Sequence, residues 1–502
     1  MKKFKNVVLF FVFALCLNGM VAAGGKNDGS TEIEGLYRYV LENGLELYVA
    51  ENDSAPLVQI KLTVLGGGIA STPETAGLFH LYEHMMFEGN SQFANNVEME
   101  KAAQDMGVLA HNAQTGVNSV SYFFTVPANL LKKGLEFWNY AIREPLLAED
   151  ALEAQKKVVI SEIEGNFADP QRIFSYSLFK KMFPKFPWRT DPAGYPELIQ
   201  NASVEDLRDM LKKYYVPNNA LLLVGGDVKH EEVYELVKEI FGSWERGENP
   251  WEEEREFQLD RPFEDTEYFV MPASHVSKEQ ASVRVVYRGP DPCRDSRSVE
   301  VANVFDQLMD NPSGFYAESL LNIEALEIPS ANYLGAGSTA MRENGMISFM
   351  SVMHSPEKNL AQRAKIFYSA VADQIVPEII ERNDVFSKAD FKQVKQAMKD
   401  YYFIGMETAE QVLSQLEYCW VNFSREYFFT RTKKVKKTDI NRYLEKYVAE
   451  KPALVCVLVN PEVYEMQKND FAKEGFKEFT IENAYWWKDF EKKSGNDFKG
   501  DF

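Results

Sequence analysis

Two kinds of apolar pattern alternate along the chain. Short runs rich in Val, Ile and Leu, such as residues 56–68 and 281–289, are typical of strands, whereas the amphipathic stretches 204–215 and 390–401 are typical of helices. Strands and helices follow each other irregularly, and some strands stand in hairpin-like pairs. This order favours an α+β fold with mixed sheets over a doubly wound parallel sheet.

The pattern also repeats within the chain. Residues 211–224 (LKKYYVPNNALLLV) align with residues 444–457 (LEKYVAEKPALVCV) at an offset of 233. Both copies predict a helix, a short polar turn and a buried strand. The charged stretch 243–262 lacks an apolar period and is typical of a linker. These features predict two homologous lobes within one chain.

The first residues are typical of an export signal. Three lysines precede an apolar run at 7–17, and small residues at 21–23 suit cleavage after Ala23. This run is too short to span a bilayer, and no later stretch reaches the roughly 18 apolar residues that a membrane helix needs. Leu15 is too bulky for the position before a lipidated Cys16. We therefore expect a periplasmic or secreted product without a lipid anchor or a stable membrane span.

The whole chain is thus predicted to have five segments. They are a signal peptide at 1–23, an N-terminal lobe at 33–245, a linker at 246–262, a C-terminal lobe at 263–485 and a polar tail at 486–502.

The predicted mature chain is strongly acidic. Its formal charge changes from −20 to −23 when the three signal lysines are removed. Such a charge gives no electrostatic basis for binding nucleic acid or an anionic membrane surface. Cys293, Cys419 and Cys456 are scattered and form no CxxC pair. A metal site in the mature chain therefore has to be built from histidine and carboxylate.

Two of the six histidines of the chain lie in one short stretch, HLYEH at 80–84. Residues 71–74 (STPE) before it predict a capped helix start. On that helix His80, Glu83 and His84 leave from one face. They could be surface residues of an amphipathic helix, but the apolar neighbours favour a buried one, whose polar residues need partners. The order is that of the inverted zincins, in which two imidazoles hold Zn²⁺ and the glutamate takes a proton from a water molecule that the metal polarises.

A catalytic zinc usually has three protein ligands, so a third is needed. The other four histidines are scattered, which favours a carboxylate. In the predicted helix 150–167, Glu162 adjoins the apolar stripe, whereas Glu153 and Glu164 face elsewhere. The pattern alone does not choose among them, because solvent-exposed glutamates are common on helices.

The ordered motifs HLYEH, HNAQTGVNSVSYFF and KKVVISEIEGN resemble the pitrilysin/insulysin family of zinc peptidases, which includes the mitochondrial processing peptidases. Val158-Val-Ile-Ser-Glu162, 78 residues past His84, matches the place of the family's glutamate ligand. The resemblance implies one Zn²⁺ per chain, held by His80, His84 and Glu162, with Glu83 as the general base. It also implies a duplicated metallopeptidase fold of the processing-peptidase type, whose two lobes enclose a chamber.

The resemblance assigns further residues around the metal. Gln155 stands where the family often has a second glutamate, so it can form a hydrogen bond behind the ligands but adds no negative charge. Asn112 and Ala113 match the family's edge strand, which binds the substrate backbone in a β conformation. The second lobe carries no zinc motif, since the offset of 233 places His80 at position 313, within MDNPSGFYAE.

One departure from the family concerns partners. Family members often carry an arginine and a tyrosine in the second lobe that bind substrate near the zinc. Tyr333 matches the tyrosine, but no arginine occurs between Arg297 and Arg342. The resemblance therefore suggests a zinc-bearing subunit of a heterodimer, in which a homologous subunit supplies the Arg–Tyr pair; a homodimer is the alternative.

Three functional hypotheses follow. The first is a zinc endopeptidase that hydrolyses extended peptides or unfolded segments inside the chamber, alone or with a partner subunit. The second is a non-catalytic scaffold member of the family, which predicts a damaged motif, whereas every zinc ligand and the base are present here. The third, a structural zinc site, fits poorly because three ligands beside a glutamate leave a position for water.

Overall fold

The computed structural model describes residues 29, 31–108, 112–252, 255–423 and 434–489. The predicted signal peptide lies outside these residues. No helix within them is long and apolar enough to cross a membrane.

The strands form two six-stranded mixed sheets. The first sheet has the order β1-β2-β6-β3-β5-β4, and the second has the order β12-β7-β11-β8-β10-β9. The strands of the first sheet are β1 Leu36–Val40, β2 Glu46–Glu51, β3 Leu57–Leu65, β4 Asn112–Thr115, β5 Ser119–Pro127 and β6 Ala220–Gly226. Those of the second are β7 Glu267–Pro272, β8 Gln280–Arg288, β9 Leu334–Thr339, β10 Met346–His354, β11 Leu454–Val459 and β12 Lys477–Glu478.

Seventeen α-helices accompany these sheets in the described residues. Those of the first half are α1 Leu78–Met85, α2 Asn96–Asp105, α3 Leu131–Arg143, α4 Glu149–Gly165, α5 Pro170–Met182, α6 Pro196–Asn201, α7 Val204–Tyr214 and α8 His230–Phe241. Those of the second are α9 Ser296–Met309, α10 Phe315–Leu321, α11 Leu360–Ser369, α12 Val376–Glu381, α13 Lys388–Ile404, α14 Ala409–Asn422, α15 Lys437–Tyr447, α16 Pro461–Lys473 and α17 Ile481–Ala484. The α+β prediction is confirmed.

The two halves share a topology but not a single sequence offset. Helices α7 and α15 are 233 residues apart, as the repeat predicts. Strands β3 and β8 are only 223 apart, because the second half is longer between these points. The extrapolation of His80 to position 313 is therefore wrong. At the offset of β3 and β8, the counterpart of α1 is α9, and His80, Glu83 and His84 correspond to Asn303, Asp306 and Gln307.

Each sheet is covered on one face by a helix from the other half of the chain. Helix α14 packs on the first sheet, where Leu413, Leu416 and Trp420 contact residues of β2, β3 and β6. Helix α5 packs on the second sheet in the same way, and Phe174 contacts the cluster of β7, β8 and β11. This cover explains the continuous apolar run of β6, since a strand buried on both faces has no solvent-exposed positions.

Near the C-terminus, burial extends further along the chain than predicted. Trp486 and Trp487, assigned to a polar tail, are almost fully buried in the cluster that α5 forms with the second sheet. Trp486 Nε1 donates a hydrogen bond to the buried Asp191 carboxylate at 3.0 Å. Two aromatic side chains therefore anchor this end of the chain. The described part of 246–262 contains no helix or strand, and the lobe boundaries at 245 and 263 stay predictions.

Candidate metal centre

Helix α1 begins differently from its prediction. The capping motif of residues 71–74 does not form, since Ser71 Oγ donates to the Gly67 carbonyl at 3.2 Å rather than accepting from the helix. The N-cap is Gly77, in the left-handed region at φ 93°. A Cβ on Gly77 would lie 2.6 Å from the Ala193 carbonyl oxygen, and one on Gly194 would lie 2.3 Å from that of Ala76. Glycine at both positions lets the start of α1 lie directly against the loop that contains Ala193 and Gly194.

The helix periodicity places the HLYEH side chains as predicted. Five residues of α1 are buried, and His80, Glu83 and His84 lie partly buried on the remaining face. The centroids of the two imidazole rings are 5.0 Å apart. Because α1 packs against α4, this face looks toward the C-terminal half of α4.

Helix α4 brings Glu162, and not its neighbours, to the two imidazoles. Glu162 Oε2 lies 3.5 Å from His80 Nε2 and 3.5 Å from His84 Nε2. Glu153 instead accepts from Lys156 Nζ at 2.6 Å. Of the glutamates on α4 that the sequence pattern left open, Glu162 is the one that meets the histidines.

The geometry of these three side chains fits zinc. Ligand atoms held roughly 2.0–2.2 Å from a tetrahedral zinc stand about 3.4 Å from each other. The observed nitrogen–oxygen distances of 3.5 Å match that spacing. Burial, and then the charge of His84, lowers the pKa of His80 to about 4, which leaves the ring neutral at pH 7 as a metal ligand must be.

Glu83 is held beside this cluster by the first sheet. The Thr115 hydroxyl, on β4, donates a hydrogen bond to Glu83 Oε2. Burial raises the pKa of Glu83, and the bond from Thr115 and the charge of His84 oppose that rise. Nothing in the sequence pattern distinguishes Thr115, although it stands in the strand motif at 111–124. Its hydroxyl fixes the direction in which the Glu83 carboxylate points.

Behind His84 lies a chain of two hydrogen bonds. His84 Nδ1 is 3.1 Å from Gln155 Oε1, and Gln155 Nε2 donates to Glu88 Oε1 at 2.6 Å. Gln155 thus contacts the ring nitrogen of His84 other than the one that faces Glu162. Glu88 was missed; its only sequence signal is its position four residues after His84, just beyond the end of α1.

The predicted substrate strand lies at the edge of the sheet. Strand β4 pairs with β5 alone among the described strands, with Asn112 opposite Phe123 and Ala113 opposite Tyr122. The other edge of β4 therefore presents backbone groups that an extended peptide can pair with.

A cavity of about 410 Å³ lies beside the histidines. The residues that line it include His80, Thr115, Glu162, Asn166, Arg172 and Tyr176. Tyr333 is not in its described lining; the Tyr333 ring packs against His354 in the second lobe, with centroids 5.5 Å apart. The structure thus brings an arginine and a tyrosine of α5, which the sequence analysis missed, to the cavity.

Two family models match the chain. The model described as Insulinase (Peptidase family M16) matches residues 47–189, and the model described as Peptidase M16 inactive domain matches residues 201–398. Together these stretches span about two thirds of the chain.

Several curated proteins are similar over the first half. "Zinc protease PqqE" of Helicobacter pylori is 27% identical over 205 residues, which is 40% of this chain and 46% of that protein. "Probable mitochondrial-processing peptidase subunit beta" of Arabidopsis thaliana is 25% identical over 202 residues, 40% of this chain and 38% of that protein. "Cytochrome b-c1 complex subunit 1" of Rattus norvegicus is 26% identical over 205 residues, which is 41% of this chain and 42% of that protein. The alignments thus span less than half the length of these relatives.

Two solved structures share the fold of nearly the whole chain. A protease from Helicobacter pylori superposes with a TM-score of 0.68 at 18% identity, over 84% of this chain and 99% of that one. The periplasmic protease PqqL from Escherichia coli superposes with a TM-score of 0.69 at 16% identity, over 94% of this chain and 51% of that one. The fold prediction, two lobes of mixed sheet and helices, is confirmed.

Proposed function

The chain belongs to the insulinase-like peptidase family M16, and from this premise we propose that it is a zinc-dependent endopeptidase of extended peptides or unfolded segments. The observation that carries the proposal is the convergence of His80, His84 and Glu162, at ligand spacing, beside Glu83. A single zinc ion would be held by those three side chains. Relatives named zinc proteases support zinc as the metal.

In this proposal zinc, when bound, supplies a Lewis acid that polarises water and the scissile carbonyl. Glu83 takes one proton from the attacking water, whose oxygen bonds to the carbonyl carbon. Glu83 then delivers that proton to the departing amine as the C–N bond breaks. Thr115 keeps the carboxylate in place for both transfers, because its hydroxyl donates to Glu83 Oε2.

The substrate backbone pairs with the free edge of β4 in this proposal. Main-chain hydrogen bonds from Asn112 and Ala113 would hold a peptide of almost any sequence in an extended conformation. A folded protein cannot present such a strand, so the substrates are peptides and unfolded segments. We also propose export to the periplasm or outside the cell, since PqqL of Escherichia coli, which shares this fold, is a periplasmic protease.

A second candidate is a zinc-bearing subunit that needs a partner chain for activity. It is favoured by the position of Tyr333, which lies away from the cavity beside His80. Two similar proteins are named as subunits, one of the mitochondrial-processing peptidase and one of the cytochrome b-c1 complex. A non-catalytic role has support from the family model described as Peptidase M16 inactive domain, which matches residues 201–398. Peptide hydrolysis by the purified chain alone would decide against both.

The test compares the wild type with Glu83→Gln for bound zinc and for hydrolysis of an unstructured peptide. The variant is expected to keep its zinc and to lose hydrolysis by about 10³-fold or more, as for the loss of a general base. The matched control is Glu164→Gln, which removes an exposed carboxylate from α4. Unchanged hydrolysis in Glu83→Gln, or a wild type without stoichiometric zinc, would refute the proposal.

A further inference from the structure

The two ring nitrogens of His84 have different neighbours. Nε2 faces Glu162 at 3.5 Å, and Nδ1 faces the side-chain oxygen of Gln155 at 3.1 Å. An amide oxygen only accepts hydrogen bonds, so Nδ1 has to carry the proton. Nε2 is then left with its lone pair directed toward Glu162, which is the state that a metal ligand requires.

The orientation of the Gln155 amide sets this tautomer, and Glu88 decides that orientation. An amide can be turned by 180° with little change of shape, which would place its NH₂ group against His84. A carboxylate, however, only accepts hydrogen bonds. Because Glu88 Oε1 lies 2.6 Å from one end of the amide, that end must be the NH₂ group. Glu88 thus sets the amide, and the amide sets the tautomer of His84.

Glu88 also brings negative charge to this side of the site. It forms no ion pair with a lysine, arginine or histidine within the part of the chain that is described, and it is partly buried. Its charge therefore acts on the His84 imidazole through one intervening amide. His80 has no such arrangement, because its buried Nδ1 has no hydrogen-bond partner among the described residues.

We propose that Glu88 is a positioning residue of the metal centre, which acts through Gln155 to hold His84 in its ligand tautomer and to raise its affinity for zinc. The role rests on the proposed function, since it concerns zinc at the same site. This role of Glu88 means that a chain with glutamine at position 155 still has a carboxylate behind His84.

The test measures the zinc dissociation constant of the purified chain by competition with a fluorescent chelator. Glu88→Gln is expected to bind zinc about 10–100-fold more weakly, as when other partners of ligand histidines are removed. The transposed double variant Glu88→Gln/Gln155→Glu places the carboxylate directly on His84 and should bind within about threefold of the wild type. Glu164→Gln is the control and should bind as the wild type does.

The outcomes separate the two proposals. Tight zinc binding by the wild type together with an unchanged constant in Glu88→Gln would overturn the role of Glu88 alone. Weak binding that the double variant does not rescue would also overturn it, since the effect would then be structural. No zinc binding by the wild type and the control would overturn the proposed function, on which this role depends.

A different observation concerns the cavity beside His80. Arg172, in the first turn of α5, lines this cavity together with His80 and Glu162 and is exposed. It forms no ion pair and no side-chain hydrogen bond with any other described residue, in a chain whose net charge is −20. Arg172 differs in this respect from Arg189, which pairs with Glu343 at 2.9 Å. A free guanidinium in a cavity is a binding group for a carboxylate.

We infer that Arg172 selects peptides that carry a carboxylate close to the scissile bond. This inference also rests on the proposed function. The carboxylate could belong to an acidic side chain or to the C-terminus of the peptide, and the chemistry that recognises it is the same.

The test uses peptides that differ at one position, Glu against Gln, each with a free or an amidated C-terminus. Arg172→Gln is expected to raise KM for the carboxylate-bearing peptide about 10-fold or more, with kcat little changed, because a hydrogen bond to a charged group is lost. Arg172→Glu should reverse the preference. Lys157→Glu makes the same charge change at an exposed position of α4 outside the cavity lining and should leave the preference unchanged.

A preference that persists in both Arg172 variants, or one that Lys157→Glu abolishes equally, would overturn the assignment. If amidation of the C-terminus alone raises KM, the C-terminal carboxylate is the group that Arg172 binds. If replacement of Glu by Gln alone raises KM, Arg172 binds the acidic side chain. A wild type that cleaves none of the peptides would count against the proposed function instead.

Discussion

In both lobes a hydroxyl of the edge strand donates to an acid on a neighbouring helix, an arrangement that we call the corner. Within the described residues, only the corner of the first lobe has a cluster of metal-ligating side chains beside it. In the first lobe, Thr115 on the edge strand β4 donates to Glu83 on α1. In the second, Ser338 on the edge strand β9 donates to Asp306 on α9, from its backbone at 2.9 Å and its hydroxyl at 2.7 Å. The acid and its hydroxyl partner are thus shared features of the duplicated fold.

The lobes differ in what surrounds the acid. Glu83 lies on one helix face with His80 and His84, its hydroxyl partner Thr115 lines the cavity, and Glu83 is partly exposed. Asp306 stands between Asn303 and Gln307, and only 6% of it is exposed. The edge-strand hydroxyl and the helical acid hold the corner together in both lobes, whereas chemistry also requires metal ligands and an opening. Three predictions test this reading, the largest effect first.

The strongest test gives the first lobe the residues of the second. In His80→Asn/His84→Gln, the metal ligands are replaced by the amides that stand at positions 303 and 307. Zinc binding and peptide hydrolysis should both be lost, hydrolysis by about 10³-fold or more, because two of three ligands are gone. Circular dichroism should show an intact fold, and zinc retained at one ion per chain would contradict the assignment.

The second test concerns the pH dependence of stability that Asp306 brings. Burial raises the pKa of Asp306 to about 7 from 3.8, against the opposing hydrogen bonds of Ser338. The folded chain thus holds this proton more tightly than the unfolded chain. The protonated acid therefore stabilises the fold fully below about pH 4, and this contribution is lost as the pH rises to about 7.

Asp306→Asn keeps the acceptor for Ser338 and removes the titration. Relative to the wild type, the variant should gain stability between pH 4 and pH 8, on the order of 2–4 kcal/mol at about 1.36 kcal/mol per pKa unit. Urea unfolding at pH 5 and pH 8 measures the difference, and zinc affinity serves as the control because it should not change. A difference independent of pH would show that Asp306 does not titrate in this range.

The smallest effect on hydrolysis is expected from removing the Thr115 hydroxyl in the first lobe. Thr115→Val removes the donor to Glu83 and preserves side-chain shape, so hydrolysis should fall about 10-fold, the size of one hydrogen bond to a charged group. Thr115→Ser should restore most of the rate. Zinc affinity should be equal in all three proteins, and a loss of zinc in Thr115→Val would mean that the hydroxyl supports the ligands rather than Glu83.

The arrangement of side chains within a single helix or strand follows from the local sequence. The spacing of His80, Glu83 and His84 fixes their common face, because a helix turn brings i, i+3 and i+4 together wherever the helix packs. The repeat at 211–224 and 444–457 likewise matches the observed pairs α7–β6 and α15–β11, and the resemblance to the family supplied Glu162. The helix start at Ser71 was wrong because tight packing against Gly194 overrides a local capping signal.

Which helices and strands contact each other depends on tertiary packing. Periodicity states which face of α4 is apolar, but the contact between α1 and α4 is what places Glu162, rather than Glu153, at 3.5 Å from both imidazoles. Glu88, Thr115 and Arg172 are polar residues with no distinguishing pattern, and they matter only through neighbours far along the chain. Side-chain chemistry depends on distances of a few ångströms, and these are set by the packing of helices and sheet edges that no local pattern encodes.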